Sequence, residues 1–271
     1  ARMMGFGKRD RGDGCASIRD NIFVRALYLE HDREQALIIS FDMCFIGRED
    51  ADWFKGTLGR HLDMAPRQIL MNATHSHVGP ASGIWAYGAY LPPDMDYLRE
   101  LQSAVLTVAL TARDEACPVT LWAGMGRSTI PMNRRRRMPD GTFENRPNPD
   151  GIVCYALPVM LARDEAGFPV ACLFSVAAHP SIMGDDAISA EYPGVASSRV
   201  DVHLMAECSM FLQGCGGDAK TRIAGEGRDV WLSNDWNVVN QVGRIIGDEV
   251  IGILDRGMEE VSPSLKTGLT E

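Results

Sequence analysis

No stretch of this sequence approaches the roughly 18 unbroken apolar residues of a membrane-spanning helix, and no secretory leader is visible. Its seven cysteines are irregularly spaced and include no Cys-x-x-Cys pair. Reduced, buried thiols in a cytoplasmic protein are the reading that follows. Positive charge is in deficit: 27 Lys and Arg against 36 Asp and Glu leave a net charge of −9. That argues against a nucleic-acid binder, whose grip on phosphates needs clustered cations. Tandem repeats and low-complexity segments are also missing. What remains is 271 residues at 45% hydrophobic content, enough to bury roughly 70–75% of the unfolded surface without disulfides. Residues 1–271 are expected to form a single α/β domain that is incomplete at both ends.

Two periodicities alternate along the chain. "NIFVRALYLE" (21–30) is rich in β-formers and "ALIISFDMCFI" (36–46) is an apolar run broken by one carboxylate. Joined by the polar "HDREQ", they predict two antiparallel strands. "REDADWFKGTLGRHL" (48–62) opens acidic and places Trp53, Phe54, Leu58 and Leu62 at helical spacing, which predicts an amphipathic helix. A buried strand is expected over 68–74, then a Gly/Pro/aromatic loop offering Trp85 and Tyr87 as apolar surface. A helix follows over 95–116 with Asp94 as N-cap. Residues 118–127 read as a strand and 127–151 as a long, basic, Pro/Gly/Asn-rich loop. A hairpin over 152–162 and 168–178 ends at His179, a helix runs from Pro193 to about Glu207, and 209–214 and 235–255 read as strand and helix. Short hairpins mixed with strand–helix alternation give an α/β fold class: mixed β-sheets with helices packed on the outer faces.

Three strands stop at residues that carry chemistry. In "ILMNATHSHVGP" (69–80), His75 and His77 lie two apart, so in an extended chain both rings face one side. Imidazole is a common zinc ligand and the Gly79-Pro80 turn would hold the rings, although a solvated turn would read the same way. In "FSVAAHPSIMG" an apolar strand runs into His179, which by itself reads as a core histidine bonded to backbone. In "FLQGCGGDAKTR" a strand gives way to Gly214, Gly216 and Gly217, then Asp218. Such glycines allow the close approach that an oxyanion or phosphate pocket needs, or form a plain tight turn. The spacing does not match a P-loop. Asp42 in "ISFDMCF" is a fourth such residue, either orienting a ligand histidine or serving as a ligand itself. Together the four point to one shared cleft, because open sheets gather ligands where strands end.

These motifs resemble the catalytic domain of the neutral/alkaline ceramidases, zinc-dependent amidases that release a fatty acid from N-acylsphingosine. The similarity runs collinearly to about residue 222. "MMGFGKRDRGDGCASIRDNIFVRALYLE" corresponds to the family's opening, and "ATHSHVGP" is similar to its A-T-H-T-H-S-G-P. "GRSTIPMNR" resembles the N-x-N-R-S loop, and "GFPVACLFSVAAHPSIMG" the G-x-P-x-G…F-A-V-H-P-T-S-M segment. "ISAEYPGVAS" and "FLQGCGGDAKTR" resemble V-S-x-D-x-x-G-Y-A-S and F-x-Q-x-x-x-G-D-V-S-P-N. The resemblance implies that His75 and His179 bind Zn2+, that His77 lies beside the metal, and that Arg134 holds the polar group of the substrate.

Two departures bear on the chemistry. The family's G-D-V-S serine aligns with Lys220, and Thr221 is one position off, so a serine acyl intermediate is not expected. Zinc activates water without a serine. The family's remaining ligands, a Glu and a Tyr, lie downstream of this motif and match no segment here; the expectation is that either a removed C-terminal portion supplies them or local carboxylates such as Asp42, Asp218 or Glu226 substitute. The expected activity is zinc-dependent hydrolysis of an amide, ester or lactone. His77 would move the proton, Gly216 and Gly217 would serve the oxyanion, and Arg134, Lys220 and Asp218 would complete the catalytic set. The run Arg134 to Arg137 and Lys220 favour a small polar or acidic substrate. A true neutral ceramidase with a lipid-like amide substrate, and a non-catalytic metal- or ligand-binding domain, are the alternatives.

Overall fold

The computed structural model describes residue 3, residues 14–81 and residues 94–269. The loop carrying Trp85 and Tyr87 lies outside the described residues. After a two-residue strand β1 (Ser17–Ile18), β2 (Val24–His31) and β3 (Glu34–Phe41) form the expected antiparallel hairpin, closed by a tight turn with Asp32 at φ 57°. Helix α1 (Arg48–Leu62) matches its amphipathic segment residue for residue, burying Phe54, Leu58 and Leu62. It returns the chain to β4 (Ile69–Ala73), parallel to β3. Helix α2 (Met95–Asp114) starts on Asp94, whose carboxylate accepts the N–H groups of Asp96 and Tyr97 and so satisfies two donors that a helix start leaves open.

The second half begins with β5 (Val119–Arg127), β6 (Pro131–Arg137), β7 (Phe143–Asn148), β8 (Ala156–Asp164) and β9 (Pro169–Val176). Then come β10 (Ala187–Ile188), α3 (Glu191–Leu204), β11 (Ser209–Gln213), β12 (Ala219–Thr221), α4 (Arg222–Gly225), α5 (Trp236–Arg256) and β13 (Glu259–Val261).

Three sequence expectations change. The basic stretch 127–151 is no loop: β6 and β7 pair antiparallel with a bulge between Asn133 and Arg135. Arg135 and Arg137 face solvent, and Arg136 and Arg146 both pair with the carboxylate of Asp229, so polar contacts replace the apolar alternation that marks most strands. Helix α3 begins at Glu191, two residues before Pro193. Proline is tolerated there because first-turn N–H groups have no intrahelical partner. Strand β4 is not buried on both faces, since Leu70 is 55% exposed.

The main sheet runs β11-β9-β8-β5-β13, a mixed sheet in which β9 and β11 are parallel; β2-β3-β4 form a second mixed sheet and β12-β6-β7 a third, antiparallel one. Side-chain alternation sorts the layers. Leu37, Ile39 and Phe41 of β3 pack with α1 and α2, while Ile38 packs on the opposite side with Leu173 and Met210. On β9, Cys172, Phe174 and Val176 face α3 and α5, and Ala171 and Leu173 face the second sheet. The order is therefore helices, sheet, sheet, helices, as the sequence indicates. The seam is fastened by Ser40 Oγ donating to the Phe211 carbonyl at 2.8 Å and by Asn72 bonding both backbone groups of Gln213. This arrangement brings the C-terminal ends of two parallel pairs, β3/β4 and β9/β11, to one place. No described helix is long and apolar enough to cross a membrane.

Candidate metal centre

His75 follows β4 with φ 69°, a left-handed conformation uncommon outside glycine and enriched at functional sites. Its N–H donates to the Met43 carbonyl at 2.9 Å, which continues the β3–β4 pairing past both strands. His179, just beyond β9, donates its N–H to the Ala219 carbonyl at 3.0 Å, and His77 donates its own to the Pro180 carbonyl at 3.2 Å. Backbone bonds thus tie together the loops after β4, β9 and β11.

The imidazole tautomers follow from these surroundings. His75 Nδ1 lies 2.6 Å from the Cys44 carbonyl and His179 Nδ1 lies 3.2 Å from the Gly216 carbonyl. A carbonyl oxygen only accepts, so each Nδ1 must carry the hydrogen. Both Nε2 atoms are then bare in the neutral rings, and they stand 3.0 Å apart. The Nε2 of His77 lies 3.3 Å from that of His75, and the three ring centroids are 4.4 to 5.0 Å from one another.

A proton is disfavoured between them. Burial pushes His179 down to about 3, reinforced by the charges of His75, Arg134 and Lys220 against the Gly216 hydrogen bond. His75 is also lowered, by burial and then Arg134, against its bond to Cys44. Two facing lone pairs repel unless something positive joins them, and a metal cation does what the proton cannot. Tetrahedral zinc with bonds of 2.0–2.1 Å spaces its nitrogens roughly 3.3 Å apart, close to both distances here. Ligand histidines also characteristically give their other N–H to a carbonyl or carboxylate. The residues present fit the ion that the resemblance implies.

Cys44, His75 and His77 also form a group whose ligand atoms all lie within 4.8 Å of one another and could hold a metal ion. The Cys44 Sγ is 3.9 Å from His75 Nδ1, the nitrogen already engaged by the Cys44 carbonyl. A cation on that edge would displace a 2.6 Å hydrogen bond; one on the Nε2 edge displaces nothing. From the sequence Cys44 reads as one of the buried reduced thiols, with no motif that marks it as a ligand.

The other expected residues separate into two groups. Asp42 directly follows β3 and precedes Met43, with Oδ2 accepting from the Phe23 N–H at 3.0 Å and from Arg25 at 3.1 Å, and it is not in the Cys/His group. Burial raises its carboxyl against the pull of Arg25. Glu226 is exposed and faces Arg222 at 4.0 Å. Gly216 donates its N–H to the Gly214 carbonyl at 2.7 Å, so it serves the site through its carbonyl on His179 instead of through an oxyanion bond. Arg134 is held by the carbonyls of Gly217, through Nε at 3.0 Å, and Asp218, through its backbone N–H at 2.8 Å. Lys220, on β12, is 9% exposed and close enough to depress His179.

One buried acid escaped the sequence reading. Glu191 is 1% exposed and adopts φ 53°. Its Oε1 accepts the N–H groups of Ile182 at 2.6 Å and Met183 at 3.0 Å, fixing the loop that follows His179.

No protein-family model and no curated protein matches the sequence. Solved structures that resemble the fold include two ceramidases. Neutral ceramidase from Pseudomonas aeruginosa aligns with a TM-score of 0.78 and 17% identity, covering 92% of this chain and 41% of that one. A ceramidase complexed with C2 aligns at 0.81 and 17%, covering 97% of this chain and 43% of that one. The chain has a ceramidase-like α/β fold and spans about two-fifths of the length of those proteins.

Proposed function

We propose that this domain is a zinc-dependent hydrolase acting on an amide or a related carbonyl, an ester or lactone, of a small polar or acidic substrate. The observation that supports this most directly is the 3.0 Å approach of two bare Nε2 atoms, each with its Nδ1–H tied to a backbone carbonyl. His75 and His179 would hold the ion through Nε2, with His77 or Cys44 adjoining. When bound, zinc polarises the carbonyl and makes water nucleophilic near neutral pH.

The chain's own residues do the rest. The Cys44 and Gly216 carbonyls fix the ring planes of His75 and His179. His77, with Nε2 3.3 Å from His75 Nε2, is placed to carry a proton to the leaving group. Arg134 and Lys220 supply positive potential where the carbonyl oxygen gains charge, and Gly217 and Asp218 hold Arg134 in position. With Lys220 on the strand after the glycine turn, the scheme includes no serine acyl-enzyme.

The ceramidase-like fold favours one second reading, hydrolysis of N-acylsphingosine itself. Metal analysis tests the proposal first: about one zinc per chain is expected in the purified protein, lost in H75A and in H179A with the melting transition retained. A metal-free protein with full turnover would overturn it. A fluorogenic N-acylsphingosine, set against small polar amides, esters and lactones, then separates the two substrate classes.

A further inference from the structure

His75 and His179 stand on separate loops, 104 positions apart, with their Nε2 atoms 3.0 Å from each other. A cation between them is sensitive to small changes in that spacing, so whatever ties the two loops together sets the affinity. The tie is the start of α3. Ser76, between His75 and His77, is fully buried, and its Oγ donates to the Ser189 carbonyl at 2.9 Å. Ser189 returns its N–H to the Val78 carbonyl at 3.1 Å, so a reciprocal pair of bonds holds the His75–His77 segment. On the other side, Glu191 Oε1 accepts the N–H groups of Ile182 and Met183 in the loop after His179. The stretch from Ser189 to Glu191 therefore grips both loops.

The Ser189 hydroxyl makes that grip rigid. It accepts the Glu191 N–H at 2.9 Å and donates to Asp20 Oδ2 at 2.6 Å, a length typical of a hydroxyl on a charged carboxylate. Asp20 Oδ1 accepts the Ala190 N–H at 2.8 Å. Parallel pairing of β1 with β10 delivers Asp20 to this place, with Ile18 in register with Ile188. A plain cap for α3 needs the Glu191 bond alone; the bonds to Asp20 and Ser76 go beyond it. The backbone is also strained at both ends of the chain of bonds, with Glu191 at φ 53° and His75 at φ 69°. Non-glycine residues stay in that region where their surroundings over-determine them. The Ser189 bonds reach Glu191 itself and the residue that follows His75.

We propose that Ser189 is a positioning residue of the metal centre: through Ser76 on one side and Glu191 on the other it fixes the separation of the His75 and His179 rings, and Asp20 locks it in place. An exposed aspartate far from the imidazoles in sequence thereby tunes the affinity for the ion. The inference rests on the hydrolase reading for the ion, and on the hydrogen-bonded chain from Asp20 to Ser76 for the coupling.

Two measurements on D20A, S76A and S189A test it: zinc affinity by chelator competition, and nitrogen-edited imidazole spectra of the chelated protein. Each variant should bind zinc about tenfold more weakly, the lower end of what losing an outer partner of a ligand histidine costs. D20N keeps an acceptor for the Ala190 N–H but none for the Ser189 hydroxyl, so its affinity should fall between D20A and the parent. In the metal-free variants the Nδ1–H signals of His75 and His179 should exchange with water faster than in the parent. Folded D20A and S76A with parental zinc affinity and parental exchange overturn the inference, even if urea stability falls. If the serine variants do not fold, D20A decides alone, since its side chain is exposed. A parent protein that takes up no zinc sinks the hydrolase reading, and the exchange of the two Nδ1–H groups still decides the coupling.

Discussion

The carbonyl of Cys44 accepts the Nδ1–H of His75 across 2.6 Å, while the thiol of the same residue lies 3.9 Å from that nitrogen. Main chain and side chain therefore compete for one edge of one ring. Because the carbonyl survives any substitution at this position, C44S should keep its zinc to within about threefold in affinity if the ion sits on the Nε2 edge. Competition with a chromogenic chelator measures this. A loss of a hundredfold or more would place the thiolate in the ligand shell.

Asp42 fastens the end of β3 to the segment before β2. Its buried carboxylate serves the Phe23 N–H and Arg25, so D42A strands both donors. Breaking a buried pair costs about 3–5 kcal/mol. Arg25 is 27% exposed, which puts the expected loss near the lower figure. Urea unfolding should show that loss, while metal content per folded chain stays the same. Zinc lost from folded D42N would make Asp42 a ligand or the support of one.

Gly216 and Gly217 are neighbours with opposite tolerances. A Cβ on Gly216 would lie 2.6 Å from Gln213 Nε2 and 2.9 Å from the Ala178 nitrogen, whereas one on Gly217 meets nothing within 4 Å. G216A should destabilise by about 1–3 kcal/mol, as overpacking does, and weaken zinc binding by moving the carbonyl that holds His179. G217A should match the parent in unfolding. Equal stability of the two variants would refute the close packing.

Glu191 gives the protein a pH signature. Its carboxyl is raised from 4.5 to about 8 by burial, against the two backbone N–H bonds and the charge of Lys220. An acid raised in the folded state contributes stability that is complete below its unfolded value and declines as pH rises through the folded one. Between pH 4.5 and 8 the unfolded chain releases a proton that the folded chain retains. E191Q keeps an acceptor for Ile182 and Met183 but cannot ionise, so its stability should fall less steeply than the parent's across that window. Denaturation at pH 5 and pH 8 measures both slopes, and identical slopes would show that burial does not hold the proton.

Much of the fold was legible because its cues are local. The spacing of Phe54, Leu58 and Leu62 marked α1 to the residue, and Asp94 announced α2 by a side chain able to reach two N–H groups. The β6–β7 hairpin was hidden for a reason equally local: its arginines are stabilised by Asp229, more than eighty positions away, so no apolar alternation appears. At the site, the motifs at the strand ends singled out His75, His77 and His179, and their resemblance to a known family supplied the roles. Glu191 and Cys44 carried no pattern of their own, since a buried acid and an ordinary core thiol look like any others until their neighbours are known.

By itself the sequence determined segments such as α1 and α2 and the polar residues that stand where β4 and β9 stop, because propensity, capping and side-chain periodicity act within a few residues. Tertiary structure alone decided that two imidazoles 104 positions apart would face each other, which carbonyls would orient them, and that Glu191 would be buried on the loop after His179. Those outcomes depend on how two sheets pack, and that distance is set by the whole core at once.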